Sequence, residues 1–281
     1  MEWDHPGPEL MAAVFGDRAD SVEAYALHLA STAVERGLVG PREVPRLWSR
    51  HLLNCAVLSP EIPSRATVAD VGSGAGLPGL VLALMRPDLT VTLIEPLQRR
   101  VIWLQEVVDD LGLGSVHILR ARAEALHGLR EFDVVTARAV AGLGSLAQWC
   151  LPLIKNGGRF VALKGQSAPE ELEAGRAEMG ALGAVHPRIV SLGIGIVPEP
   201  AITVMAEVMR TGRASVSPGV PTRSQKRGPR QGSSRRGGRP VEGTIRGGSG
   251  VDGTPGAGGR DAGDSGRARS SQGRRNDPGR G

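Results

Sequence analysis

Between residues 67 and 165, five short apolar runs alternate with segments of helical periodicity, and that alternation leaves few folds open. The runs are TVADVG (67–72), TVTLIE (90–95), VHILRA (116–121), FDVVTAR (132–138) and RFVALKG (159–165). Helical stretches fall between them at 77–85, 97–111, 124–129 and 142–154, and another follows at 169–182. Strands that are apolar on both faces and joined by helices predict a parallel sheet covered on two sides. The last two runs, AVHPRIVSL and ITVMAEVMR, have little more than GIGIVPEP between them. A connection that short suits an antiparallel hairpin rather than a crossover. The expected fold is therefore α/β, a Rossmann-like doubly wound sheet of seven strands, mostly parallel with an antiparallel final strand. Ahead of it, residues 20–58 read as helices: Val22, Tyr25, Ala26, Leu29, Ala33 and Val34 share one helical face. Pro41 restarts the pattern and keeps Leu47, Trp48, Leu52, Cys55 and Ala56 together.

The first run ends in a glycine cluster, VGSGAGLPG, which writes a strand, a tight turn and a helix facing a ligand. Two frames fit it. Gly74, Gly76 and Gly79 spell the G-x-G-x-x-G of dinucleotide enzymes. Gly72, Gly74 and Gly76, preceded by Asp70, spell the D-x-G-x-G-x-G of an S-adenosylmethionine (SAM) pocket. Glu95, ending the second run, can accept hydrogen bonds from ribose hydroxyls in either case. Three features favour SAM. Pro78 has no N–H, which weakens the helix start as a pyrophosphate cradle. Ala123-Glu124 follows the third strand, where an adenine edge can be read. LPLIKNGGRFVALKG closes a helix with a Gly-Gly turn before an apolar strand. The competing reading, an NAD-dependent oxidoreductase, needs a substrate-side Tyr/Lys or His. Tyr25, the only tyrosine, lies far upstream.

Charge divides the chain. Residues 211–281 hold 15 Lys/Arg against 5 Asp/Glu, whereas the first 210 hold 19 against 24. The tail also holds 19 of the 40 glycines and almost no large apolar residue, so it is expected to be disordered. Three parts result: an N-terminal helical extension (1–64), a SAM-binding domain (65–210) and a basic Gly/Arg/Ser-rich tail (211–281). Cys55 and Cys150 lie in apolar runs without metal-ligand neighbours, which points to buried reduced thiols and no metal. No apolar run approaches the ~18 residues of a membrane span, and MEWDHPGPEL is no signal peptide. A cytoplasmic protein is expected.

VADVGSGAGLPGL, IEPLQRRVIWLQEV, RAE, FDVVTARAVAGL and GGRFVALKG, preceded by RLWSRHLLNCAVL, resemble the RsmG/GidB family, in its actinobacterial branch. The resemblance runs in order from about residue 25 to residue 210. It implies a SAM-dependent enzyme that methylates guanine N7 in the 530 loop of 16S ribosomal RNA. It also implies a cofactor site containing Gly72, Leu77, Ala123, Glu124 and Arg138; the residue patterns above add Asp70, Gly74, Gly76 and Glu95. Family members usually end near the last strand, so the resemblance does not extend to the tail.

The implied chemistry asks little of side chains. Guanine N7 has a lone pair in the base plane and no proton at neutral pH, so no general base is needed, and none is assigned. Arg138, ending the fourth strand, is the candidate for positioning cofactor or substrate; a plain strand-end salt bridge is its bland alternative. For Glu124 the bland reading is a charge in a helix first turn, and for Glu95 a surface carboxylate. His51 and Asn54, one turn apart, read equally as a lid over the cofactor or as packed polar residues. Lys164 either reaches RNA phosphate or snorkels past the sheet edge. The expected partner is 16S rRNA, or a small ribosomal subunit or its precursor, with no membrane. RNA affinity would come from a local patch of Arg99, Arg100, Arg120, Arg122 and Arg138, or from the tail. A solubilising extension is the tail's bland reading. A non-catalytic RNA-binding or ribosome-assembly protein with the same fold is the remaining alternative.

Overall fold

A computed structural model of the chain describes residues 3–138 and 141–210; the tail lies outside them. The strands are β1 (Thr67–Val71), β2 (Thr90–Ile94), β3 (Val116–Leu119), β4 (Phe132–Arg138), β5 (Ile154–Lys164), β6 (Ala184–Leu192) and β7 (Ala201–Val208). They form one sheet in the order β3-β2-β1-β4-β5-β7-β6. The first five pair in parallel, and β7 enters antiparallel between β5 and β6. This is a Rossmann-like doubly wound sheet, with the antiparallel final strand that the short last connection predicts.

Helices cover both faces because the strands are apolar on both. On one face lie α1 (Pro8–Phe15), α2 (Ala19–Ala30), α3 (Thr32–Glu35), α4 (Leu53–Ala56), α5 (Gly79–Met85) and α6 (Gln98–Asp110), over a core holding Tyr25, Trp48, Val68, Leu80, Trp103 and Val134. On the other lie α7 (Leu143–Cys150) and α8 (Ala168–Ala181), over Val135, Leu146, Phe160 and Met179. Alternation along β4 sends Val134 to the first core and Val135 to the second. Cys55 and Cys150 are buried free thiols. Among the described residues no helix is long and apolar enough to cross a membrane.

Two segments differ from the sequence reading. The expected helix over 41–58 is a 3-10 stretch (Pro41–Arg46), a π turn (Trp48–Leu52) and then α4. Pro45 inside it lacks the N–H that a continuous α-helix requires there. Asp4 compensates: its carboxylate accepts from the Trp48 and Ser49 N–H groups at 3.0 and 2.9 Å, which anchors the π turn. The Gly-Gly pair is not a turn before the strand but a bend within it, since β5 already begins at Ile154. Gly157 takes φ 81°, and the register against β4 shifts there. A Cβ on Gly158 would stand 2.8 Å from the Asp133 carbonyl oxygen, so the strands can approach only at a glycine.

Candidate functional site

Strand order reverses between β1 and β4, and in open α/β sheets ligands bind beyond the carboxyl ends of the strands at such a point. The glycine loop, Glu95, Ala123, Glu124 and Arg138 all follow or end those strands. Gly72, Gly74 and Gly76 each hold positive φ, at 72°, 58° and 88°, which only glycine adopts freely. They divide by direction. Gly72 and Gly74 line cavities. Gly76 turns inward, where a Cβ would meet Leu80 Cδ1 at 2.4 Å. Gly79 is a packing residue too: a Cβ there would stand 2.4 Å from Leu93 Cδ2 and 2.8 Å from Asp70 Oδ2.

Asp70 lies behind the loop, fully buried, and lines none of these cavities. Its Oδ2 accepts the Gly79 N–H at 3.0 Å, and its backbone oxygen accepts the Ser73 hydroxyl at 2.8 Å. It therefore braces the loop from within. Burial pushes its carboxyl up to about 7. A folded-state value above the ordinary carboxylate value means stability that is full below about 4 and lost as pH rises towards 7. Asp70→Asn keeps an acceptor for Gly79 and removes the ionisation. Urea denaturation between pH 4 and 8 should show the variant gaining on the wild type up to about pH 7 and then holding level. A constant difference across that range would contradict the assignment.

A cavity of about 330 Å³ lies beside the loop, walled by Gly72, Glu95, Arg100, Ala123, Glu124 and Trp149 among others. Glu95 is almost fully buried. Its Oε2 accepts Gly74 N–H at 3.0 Å and Arg100 Nη1 at 3.4 Å, and its Oε1 accepts Leu97 N–H at 2.9 Å. A carboxylate offers about four acceptor positions, so Oε1 keeps one. This is not a surface carboxylate. Glu124 sits on the 3-10 turn Ala123–Leu126; it is exposed, makes no capping hydrogen bond and borders the cavity. Sequence reasoning missed Trp149 and the Glu95–Arg100 pair. Trp149 precedes the buried Cys150 on α7 and reads there as ordinary core.

A second cavity, of about 260 Å³, lies over the loop itself. Gly72, Gly74 and Leu77 form one side; Val39, Glu43 and His51 of the N-terminal segment form the other, with Arg138 between. Arg138 shares the β4 face of Val134, so its side chain runs towards that segment. Its Nη2 donates to the Arg50 carbonyl at 3.1 Å and also contacts His51 Nδ1. Its Nη1 donates to Cys55 Sγ at 3.7 Å. His51 Nε2 meets Glu43 Oε2 at 2.9 Å. Burial, and then the Arg138 charge, push His51 down to about 4. Its ring is therefore neutral at physiological pH, accepting from Arg138 at Nδ1 and donating to Glu43 at Nε2. So Arg138 is no simple strand-end salt bridge. It retains Nε–H and one Nη1–H for a ligand.

The other predicted residues scatter. Asn54 lines neither cavity but a third cleft, which Arg138 also borders. Lys164 is largely buried; its Nζ binds Glu171 at 2.7 Å and the Ala141 carbonyl at 3.0 Å. Arg99, Arg120 and Arg122 are exposed, whereas Arg100 and Arg138 are engaged as above. Leu77 lines the second cavity, and Asp70 and Gly76 face inward.

Residues 18–197 match the family described as GidB, rRNA small subunit methyltransferase G. The chain is 54% identical over 214 residues to the ribosomal RNA small subunit methyltransferase G of Pseudarthrobacter chlorophenolicus, covering 75% of this chain and 99% of that protein. It is 56% identical over 203 residues to the protein of the same name from an Arthrobacter species, covering 72% and 94%. The corresponding Salinispora arenicola protein is 52% identical over 237 residues, covering 81% and 97%.

Proposed function

The chain belongs to the GidB family of rRNA small subunit methyltransferases, and from that premise we propose that it uses SAM to methylate N7 of a guanine in the 530 loop of 16S rRNA. The observation that carries the choice of cofactor is the closed start of α5. Pro78 offers no N–H, Gly79 N–H is bound to Asp70, and Leu80 N–H is bound to the Gly76 carbonyl at 2.7 Å. These three positions therefore offer no free donor to a pyrophosphate, and Glu95 and Glu124 would repel one. The same surroundings suit a nucleoside without phosphate. Glu95 Oε1 would accept a ribose hydroxyl, Ala123, Glu124 and Trp149 would flank the adenine, and Gly72, Gly74 and Leu77 would contact the amino-acid end. Arg138 and Arg100 are the cations within reach of that end's carboxylate.

When bound, SAM supplies a methyl group already activated by a sulfonium. Catalysis then rests on alignment and exclusion of water rather than on proton transfer. This agrees with a site whose one histidine is neutral and held at both nitrogens. Arg138 borders both the loop cavity and the third cleft, and its free N–H groups can orient an acceptor at their junction.

The test is a nucleoside digest of the 530-loop region of 16S rRNA from cells lacking the gene. 7-Methylguanosine should be missing; its persistence at the normal level would overturn the proposal. Calorimetry should register heat from SAM and none from NAD. For the tail, residues 211–281, the reading is a basic arm that adds sequence-independent affinity. Its removal should weaken rRNA binding and flatten the salt dependence. Equal affinity at low and high salt would dismiss that role.

A further inference from the structure

The third cleft encloses about 730 Å³ at the carboxyl end of β5 and the amino end of its antiparallel neighbour β7. Arg46, Arg50 and Asn54 of the N-terminal segment form one wall, and Lys164 and Gln166 after β5 form another. Arg138 is the wall it shares with the cavity over the glycine loop. One atom in it is unexplained: Asn54 Oδ1 is buried and has no hydrogen-bond partner. Buried acceptors are nearly always satisfied, because leaving one bare costs folding free energy. Asn54 thus carries a bare acceptor at the wall of a cleft large enough for a nucleotide, beside the proposed methyl donor's cavity, and turning its amide into the cleft would bring that acceptor to a ligand.

We propose that this cleft receives the target guanine and that Asn54 is a specificity-determining residue, its Oδ1 accepting from the base's N1–H and 2-amino edge. The proposal rests on the guanine-N7 reading above. If N7 is the nucleophile, its lone pair must stay free, so the base has to be read elsewhere. The only donors guanine offers are N1–H and the 2-amino group, and both suit a bare acceptor. Adenine presents a lone pair at N1 and no 2-amino group, so it would leave Oδ1 facing an acceptor. Arg46 and Arg50 supply charge for the flanking phosphates, which position the strand without reading it. Arg46 meets Glu199 at only 3.4 Å and Arg50 meets Glu43 at 3.7 Å, exposed pairs that a phosphate can displace.

The test compares the wild type with Asn54→Leu, which removes the acceptor at similar volume, and Asn54→Asp, which keeps it. With S-adenosylhomocysteine saturating the cofactor cavity, GMP and AMP are titrated by calorimetry. The wild type should prefer GMP by about 10-fold or more. Asn54→Leu should erase the preference, and Asn54→Asp should retain it. On 16S rRNA from cells lacking the gene, Asn54→Leu should lower kcat/KM by about 10- to 100-fold, with SAM affinity and thermal melting near wild type. An undiminished GMP preference in Asn54→Leu overturns the proposal, as does a parallel loss of SAM binding. If the wild type forms no 7-methylguanosine in 16S rRNA, the parent reading fails; if it does while Asn54 proves indifferent, this inference alone fails.

Discussion

Replacing Arg138 by alanine is expected to lower methylation of 16S rRNA by about 10²- to 10³-fold, to the edge of detection, with the fold intact. Among the described residues, Arg138 is the one that borders both the loop cavity and the Asn54 cleft. Its Nη2 is consumed by Arg50 and His51, and these bonds fix where its free N–H groups point. Removing it frees the N-terminal segment from the end of β4 and erases the donors at the junction of donor and acceptor sites. Misplacement on the scale of 1 Å can already cost about 10²-fold. The sheet should survive, because Arg138 pairs with β5 through its backbone and its side chain is only partly buried. Circular dichroism and a thermal melt check the fold, and single-turnover methylation at saturating SAM checks the chemistry. Turnover near the wild-type rate would remove Arg138 from the site.

That prediction also marks the limit of what the amino-acid order discloses. Strand-end position made Arg138 a candidate, and the doubly wound sheet was legible because continuous apolar runs separated by helices have few other solutions. Its partners were not legible. Cys55 lies 83 residues away and His51 87, and only β4's alternation together with the packing of the π turn brings them together. The glycine cluster was legible as a ligand loop, yet direction was not. Gly72, Gly74 and Gly76 all hold positive φ, but two face cavities and one packs against Leu80. Asp70 shows the same blind spot, since a carboxylate ahead of the glycines can face the ligand or the helix behind it. Trp149 was hidden differently: helical periodicity assigns it to a face of α7 but cannot show that the turn after β3 leaves a cavity against it. In the N-terminal segment, Pro45 breaks the periodic pattern that apolar spacing alone would continue.

Glu95→Ala carries the second large effect, on cofactor binding rather than chemistry. The carboxylate does two things at once. It fixes the loop by accepting from Gly74 and Leu97 N–H and from Arg100, and it keeps one acceptor position at the cavity. Hydrogen bonds to charged groups contribute roughly 1.5–3 kcal/mol each, so losing a ribose contact together with the loop's tether should weaken SAM by about 100-fold. Glu95→Gln should be nearly as damaging, because its amide NH₂ must face one of the N–H donors that the carboxylate now satisfies. Affinity for rRNA should be unchanged in both variants, since Glu95 does not border the Asn54 cleft. Bracing and ribose recognition are separable with an S-adenosylhomocysteine analogue lacking the ribose hydroxyls. If Glu95 accepts from the ribose, the analogue binds the wild type about 10-fold or more weaker than the parent compound, and the gap closes in Glu95→Ala. If Glu95 only braces the loop, both compounds weaken equally and the gap persists. Unchanged SAM affinity in Glu95→Ala would remove the residue from the cofactor site altogether.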